Sequence, residues 1–152
     1  MRIRRVLPIV GLLFVSAGAV QAQGVSFWLG GARPTGDTSA IALKNSEVYA
    51  GVQLDLPLLP IAFRAEGMTS ASGFRKAPRT FIANAVIPLR LPAVQPYAIA
   101  GYGAYSYGKP SEVRGYNYGA GVRFGLGRTG VFGEVRRHEK LHKNVATIGI
   151  TL

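Results

Sequence analysis

The sequence predicts an all-β chain: an eight-stranded antiparallel up-and-down barrel that crosses a membrane and fills its interior with polar side chains. Three observations predict it. Apolar and polar residues alternate with period two through most of the chain after position 22, which marks strands with one apolar and one polar face. The apolar face is small and aliphatic in nearly every segment, where a soluble core would interlock larger side chains. The segments run about eight to twelve residues, close to the length a tilted strand needs to cross a bilayer.

Composition narrows the classes. The chain has 152 residues, 48% hydrophobic and 16% charged. That length allows one domain, at most two small ones, and so apolar a chain has ample surface to bury, so disorder is not expected. Cysteine is absent, so a disulfide-stapled fold and a Cys-based zinc finger are excluded. Lys and Arg outnumber Asp and Glu by 18 to 7, for a net charge of +11.

Residues 1–22 read as an export signal. Arg2, Arg4 and Arg5 form a positive start, Val6 to Val15 is almost wholly apolar, and Val20-Gln21-Ala22 offers a cleavage site. The apolar stretch is short for a retained membrane helix. Residues 23–152 then form the barrel domain. Cleavage removes three arginines and lowers the charge from +11 to +8. An exported chain with no nucleic-acid module is not expected to bind nucleic acid.

The strands follow in order. Val25 to Ala32 is the first. In Glu47 to Leu56, Val48, Ala50, Val52, Leu54 and Leu56 oppose Glu47, Tyr49, Gly51, Gln53 and Asp55. In Ile61 to Met68, Phe63 and Ala65 oppose Arg64 and Glu66. In Phe81 to Leu91, Phe81, Ala83, Ala85, Ile87, Leu89 and Leu91 oppose Asn84 and Arg90, and Pro88 costs a ladder hydrogen bond or marks a bulge. Tyr97 to Tyr107 alternates too poorly for its faces to be assigned. In Tyr116 to Leu126, Tyr118, Ala120, Val122, Phe124 and Leu126 oppose Asn117, Gly119, Gly121 and Arg123. In Val131 to His138, Val131, Gly133 and Val135 oppose Glu134, Arg136 and His138. Last, Ile148, Ile150 and Leu152 oppose Thr147, Gly149 and Thr151.

The connections alternate in kind. Pro57 to Pro60, Pro92 to Pro96 and Gly127 to Gly130 are short turns. Arg33 to Asn45, Ser70 to Arg79, Gly108 to Arg114 and Glu139 to Lys143 hold most of the loop charge. Short turns at one end and longer loops at the other suit an outer-membrane barrel. The spacing is a hairpin rhythm with no repeated motif.

Two sets of residues could carry function. The inward faces bring Asp55, Glu66 and Glu134 together with Arg64, Arg90, Arg123, Arg136 and His138. If the third short turn closes between Leu126 and Val131, Arg123 lies opposite Glu134, with Arg136 diagonal. If the first closes between Leu56 and Ile61, Arg64 faces Gln53 and lies diagonal to Asp55. A narrow barrel has room for side chains and little for a channel, and buried charges must be paired. The expected result is an ion-pair plug; a gated polar pathway is the alternative. The loop ends carry the second set: Arg75, Lys76, Arg79, Lys109, Arg114, Arg137, Lys140 and Lys143. Such cations suit lipopolysaccharide phosphates; the alternative is a solvated rim without a ligand.

Enzymatic signals are weak. His138 and His142 have no neighbouring serine, and a nucleophile must sit beside its base. His138 points inward, where a pair with Glu134 or Glu66 is within reach; a satisfied interior histidine is the plainer expectation. Their spacing suits a helix face rather than a strand for metal binding. Gly101-Tyr-Gly103 and Gly119-Ala-Gly121 lack the helix and lysine of a phosphate loop and suit strands that admit aromatic neighbours. No catalytic residue, metal or cofactor is expected.

The segments Gln95-Pro-Tyr-Ala-Ile-Ala-Gly-Tyr-Gly-Ala104, Tyr118-Gly-Ala-Gly-Val-Arg-Phe124 and Val131-Phe-Gly-Glu-Val-Arg-Arg-His138, in this order behind a signal, resemble the small outer-membrane β-barrels of the OmpX/OmpA transmembrane-domain type. The resemblance spans residues 23–152. It implies a bacterial outer-membrane location, inward Glu134 and Arg136, and insertion by the barrel-assembly machinery. The assembly signal is an apolar last strand ending in an aromatic; Ile148-Gly-Ile-Thr-Leu152 keeps the alternation and departs at Leu152. Members act in envelope integrity, adhesion and defence, and some are enzymes, so fold does not give activity. Lipid A deacylases have a similar strand but place a serine two residues after the histidine, where this chain has Lys140. An acyl hydrolase and a soluble periplasmic carrier of an apolar ligand are the competing readings.

Overall fold

A computed structural model describes residues 24–35, 46–56, 59–70, 79–106, 113–126 and 129–152. The expected signal segment and the loop cations Arg75, Lys76 and Lys109 lie outside the described residues.

Eight strands close into one barrel: β1 (Val25–Pro34), β2 (Glu47–Asp55), β3 (Ala62–Ser70), β4 (Arg79–Pro88), β5 (Val94–Ser106), β6 (Val113–Leu126), β7 (Thr129–His138) and β8 (Lys143–Thr151). Each pairs antiparallel with the next, and β1 also pairs with β8, with Trp28 opposite Thr151. Closure leaves no free sheet edge.

The predicted faces hold. Val48, Val52, Phe63, Phe81 and Ile87 are exposed on the outer wall. Tyr49, Gln53, Arg64, Glu66 and Asn84 are buried inside. The interior is not wholly polar, since Ile82, Val86, Ile99 and Phe132 also point in. In β5 the burial assigns what the alternation leaves open: Tyr97, Ile99 and Tyr105 face inward, while Tyr102 is exposed. Both faces of β5 read as apolar because its inner face carries Tyr97, Ile99 and Tyr105, the tyrosines packing their rings and bonding through their hydroxyls.

Two expectations are corrected. The fourth strand stops at Pro88, opposite Tyr97, and after one further backbone bond, Leu89 N–H to the Pro96 carbonyl at 2.8 Å, the chain turns. Arg90 therefore leaves the interior and is exposed in the turn, donating Nη2 to the Leu56 carbonyl at 3.4 Å. The third turn is tighter than expected: Leu126 pairs with Thr129, so Arg123 faces Phe132 and Glu134 faces Gly121. The slip is two residues, which preserves every face while changing every partner. The first turn closes as expected, with Arg64 opposite Gln53.

Inward glycines make room for the plug. A Cβ at Gly121 would run into the Tyr97 ring and come within 2.8 Å of the Gly133 carbonyl oxygen. Gly121→Val should therefore cost about 1–3 kcal/mol or more through overpacking, read as a lower midpoint in denaturant. Gly133, on the same barrel wall, has nothing within 4 Å of its Cβ position, and Gly133→Ala should be nearly neutral in the same experiment.

Candidate functional site

The centre of the barrel is a buried chain of four charges. β3 supplies Arg64 and Glu66, and β7 supplies Glu134 and Arg136. In each pair the two residues are two apart, so both point inward from one strand. The strands lie apart in the barrel order, so the pairs meet across the interior. Arg64 Nη1 lies 2.8 Å from Glu134 Oε2, and Arg136 Nε lies 2.6 Å from Glu134 Oε1. Arg136 Nη1 also pairs with Glu66 Oε1. The order is thus Arg64, Glu134, Arg136, Glu66, two cations and two anions with no net charge. All four residues are at most 5% exposed.

Neutral groups take up much of the remaining bonding capacity. Tyr49 donates to Glu66 Oε2 at 2.6 Å, and Tyr97 donates to Glu134 Oε2 at 2.8 Å. Asn84 Nδ2 donates to Glu66 Oε1 at 2.7 Å, and Arg64 Nε donates to Gln53 Oε1 at 3.0 Å. The Arg64 guanidinium also stacks 3.7 Å over the Trp28 ring, a cation–π contact that strengthens away from water. Trp28 in turn packs edge-on against Phe132 at 4.6 Å between centroids. Burying charge costs several kcal/mol per ion unless geometry and hydrogen bonds compensate. Here pairing, tyrosine donors and stacking together offset that cost.

Arg64, Glu66, Glu134 and Arg136 thus form the expected network; the other four residues do not join it. Asp55 is half-buried near the turn end and accepts from Gln53 Nε2 at 3.1 Å. Arg123 donates to Thr151 Oγ1 at 2.9 Å and Gln95 Oε1 at 3.2 Å, because the tighter turn moves it away from Glu134. Arg90 lies in the turn at the mouth of the barrel, bonded to the Leu56 carbonyl. His138 does point inward and is buried, but its Nδ1 shares a 2.8 Å hydrogen bond with Tyr105 rather than a carboxylate. Sequence reasoning missed Tyr49, Tyr97 and Trp28 as members. Tyr49 lay on the face called polar, and that was its one available signal.

The loop-end cations are scattered over the rim. Arg79 is exposed at the start of β4, and Lys143 at the start of β8. Arg114 is in β6 opposite Ala104, not in a loop, because the β5–β6 ladder runs further than the sequence indicated. It is exposed on the same outer wall as Tyr116 and Tyr118. Arg137 faces outward from β7 and reaches Asn144 Oδ1 at 3.4 Å. Lys140 is exposed in a short 3-10 turn, Glu139–Leu141, that tightens the last connection. His142 closes that turn in the left-handed region at φ 50°.

No known family model and no curated protein matches the sequence. The fold is similar to that of a solved structure described as "De novo design of transmembrane beta-barrels". The two superpose with a TM-score of 0.65 at 14% identity, over 85% of this chain and 93% of that one. At that identity the likeness is one of fold: a small eight-stranded barrel.

Proposed function

We propose that this chain is an integral barrel of the bacterial outer membrane, of the OmpX/OmpA transmembrane-domain type, with a structural or surface-interaction role and no catalytic activity. Residues 1–22 direct export and are cleaved, and the barrel-assembly machinery inserts the rest. The interior is held closed by the four-charge chain. Cations at the loop end, Arg75, Lys76, Arg79, Lys109, Arg114, Arg137, Lys140 and Lys143, contact lipopolysaccharide phosphates.

One observation carries this reading. The barrel is inside-out by the standard of a soluble protein: Arg64, Glu66, Glu134 and Arg136 are buried, while Phe63, Phe81, Tyr116 and Ile148 are each more than half exposed on the outer wall. So extended an apolar surface has no stable place in water and matches lipid. The space left inside the barrel is lined by Gln53, Asp55, Arg64, Gln95 and Arg123 rather than by an apolar wall, which weighs against the soluble carrier.

Membrane fractionation tests the location. The protein should extract only with detergent and should shift its gel mobility on heating. Release on osmotic shock would overturn the proposal. For the rim, lipopolysaccharide affinity should fall at least about tenfold when Arg75, Arg79 and Arg137 are all replaced by alanine, since each lost charged hydrogen bond removes about 1.5–3 kcal/mol. Unchanged affinity would leave the rim merely solvated. Lipid A from cells with and without the protein should give identical acyl-chain mass spectra; a difference would favour the acyl hydrolase.

A further inference from the structure

Between the charge chain and the turn end of the barrel lies a second polar space. It is a cavity of about 300 Å³, roofed by Trp28, Arg64 and Tyr97. Arg90 and Arg123 line it, and Asp55 is its one lining carboxylate side chain among the described residues. The charge on Arg64 is already matched by Glu134, so Arg90 and Arg123 against Asp55 leave the lining side chains with one positive charge in excess. Neither pairs with a carboxylate among the described residues; their bonds go to Leu56, Thr151 and Gln95.

The donors that remain point to an acceptor-rich guest. Arg64 is 1% exposed, and its Nη2 has no hydrogen-bond partner. In a guanidinium, Nη2 shares an edge with Nε, and here Nε is turned to Gln53, which also lines the cavity. Among the described residues Arg123 bonds through Nε and Nη1, which leaves Nη2 for a guest. Gln95 accepts from Arg123 through Oε1, leaving its amide N–H2 for another acceptor. A buried guanidinium N–H without a partner costs the full desolvation of that group, and an oxyanion accepting from forked guanidinium donors removes that cost.

We propose that this vestibule is a binding site for a small oxyanion, a carboxylate or a phosphate, held by Arg64 at its roof and by Arg123 and Arg90 toward its mouth. The inference is independent of the lipopolysaccharide rim, which lies at the opposite end of the barrel. Ligand size is bounded by the cavity: inorganic phosphate and citrate fit the class, and a polymeric anion does not.

Trp28, the single tryptophan, reports on the site because Arg64 stacks on its ring. The test is a titration of Trp28 fluorescence in the detergent-folded protein with citrate and with inorganic phosphate. Sodium chloride at matched ionic strength, and glycerol, are the controls. A saturable change with citrate, phosphate or both, absent in the controls, is expected. Which of the two saturates at lower concentration assigns carboxylate or phosphate. Arg123→Gln and Arg90→Gln should each weaken binding by about tenfold or more, the loss expected for one charge-assisted hydrogen bond. Arg123→Lys should recover part of the affinity, since it restores charge without the fork. Arg90 is exposed outside the ladder, so its variant keeps the test open if an Arg123 variant does not fold. No saturation with either anion, an equal response to sodium chloride, or unchanged affinity in Arg90→Gln would overturn the proposal.

Discussion

Glu134→Gln should destabilise the barrel by about 3–5 kcal/mol, the cost of removing one partner from a buried ion pair. The substitution keeps the side-chain volume and deletes only the charge. It strands Arg64, whose carboxylate partner this is, and takes one of two carboxylates from Arg136, which keeps Glu66. It also weakens the bond from Tyr97, which now meets a neutral acceptor. Denaturant unfolding in detergent or in vesicles measures the loss. Asp55→Asn is the matched control. Asp55 is half-buried, and among the described residues its side chain bonds only Gln53, so its change should stay below about 1 kcal/mol. Equal costs for the two variants would mean that the four-charge chain has no special weight.

A double variant sharpens the test. Arg64→Met with Glu134→Gln leaves the Arg136–Glu66 pair intact and restores an uncharged balance in the interior. It should cost less than the sum of its parts, with a coupling of about 0.5–3 kcal/mol. The same variants address closure. The native barrel should show no large, stable conductance in a planar bilayer, and Glu134→Gln should raise the frequency of brief openings. A large steady current through the native protein would replace the plug with a gated pathway.

Ala100→Arg should destabilise the barrel in phospholipid vesicles by about 2–4 kcal/mol, the cost of an arginine on the lipid face near the midplane. Ala100 sits midway along β5, exposed on the outer wall, between Ala85 of β4 and Tyr118 of β6. In a barrel surrounded by water the same change at an exposed alanine would fall within about 0.5 kcal/mol. The magnitude therefore separates lipid from water around this wall, independently of fractionation. Trp28 fluorescence follows the unfolding, since the ring is buried in the native state.

How much of this was legible before the structure depends on what alternation encodes. Period-two alternation reports the parity of a residue, so Arg64, Glu66, Glu134 and Arg136 could be placed inside from sequence alone. Parity says nothing about slips of two residues. The third turn closes at Leu126 and Thr129 rather than Leu126 and Val131, and that slip separates Arg123 from Glu134 without moving either from the interior. In β5, alternation has no contrast to read, because Tyr97 and Tyr105 point inward while Tyr102 points out. Extending the alternation past Pro88 places Arg90 inside, but the strand ends there and the chain turns, leaving Arg90 exposed.

The sequence by itself determined the number of strands and which face of most of them meets the outside, and it placed Arg64, Glu66, Glu134 and Arg136 inside among eight candidates. Those properties are local, set by each residue's chemistry and its position in a period of two. Only the tertiary structure decided which charges touch. Glu134 meets Arg64 across 70 residues of chain, and Arg136 meets Glu66 across the same separation. Those contacts depend on closing β1 onto β8, on turn lengths that set each register, and on inward glycines such as Gly121 that let Tyr97 fill the bore. Pairing across a barrel is a property of its circumference, and no local pattern carries it.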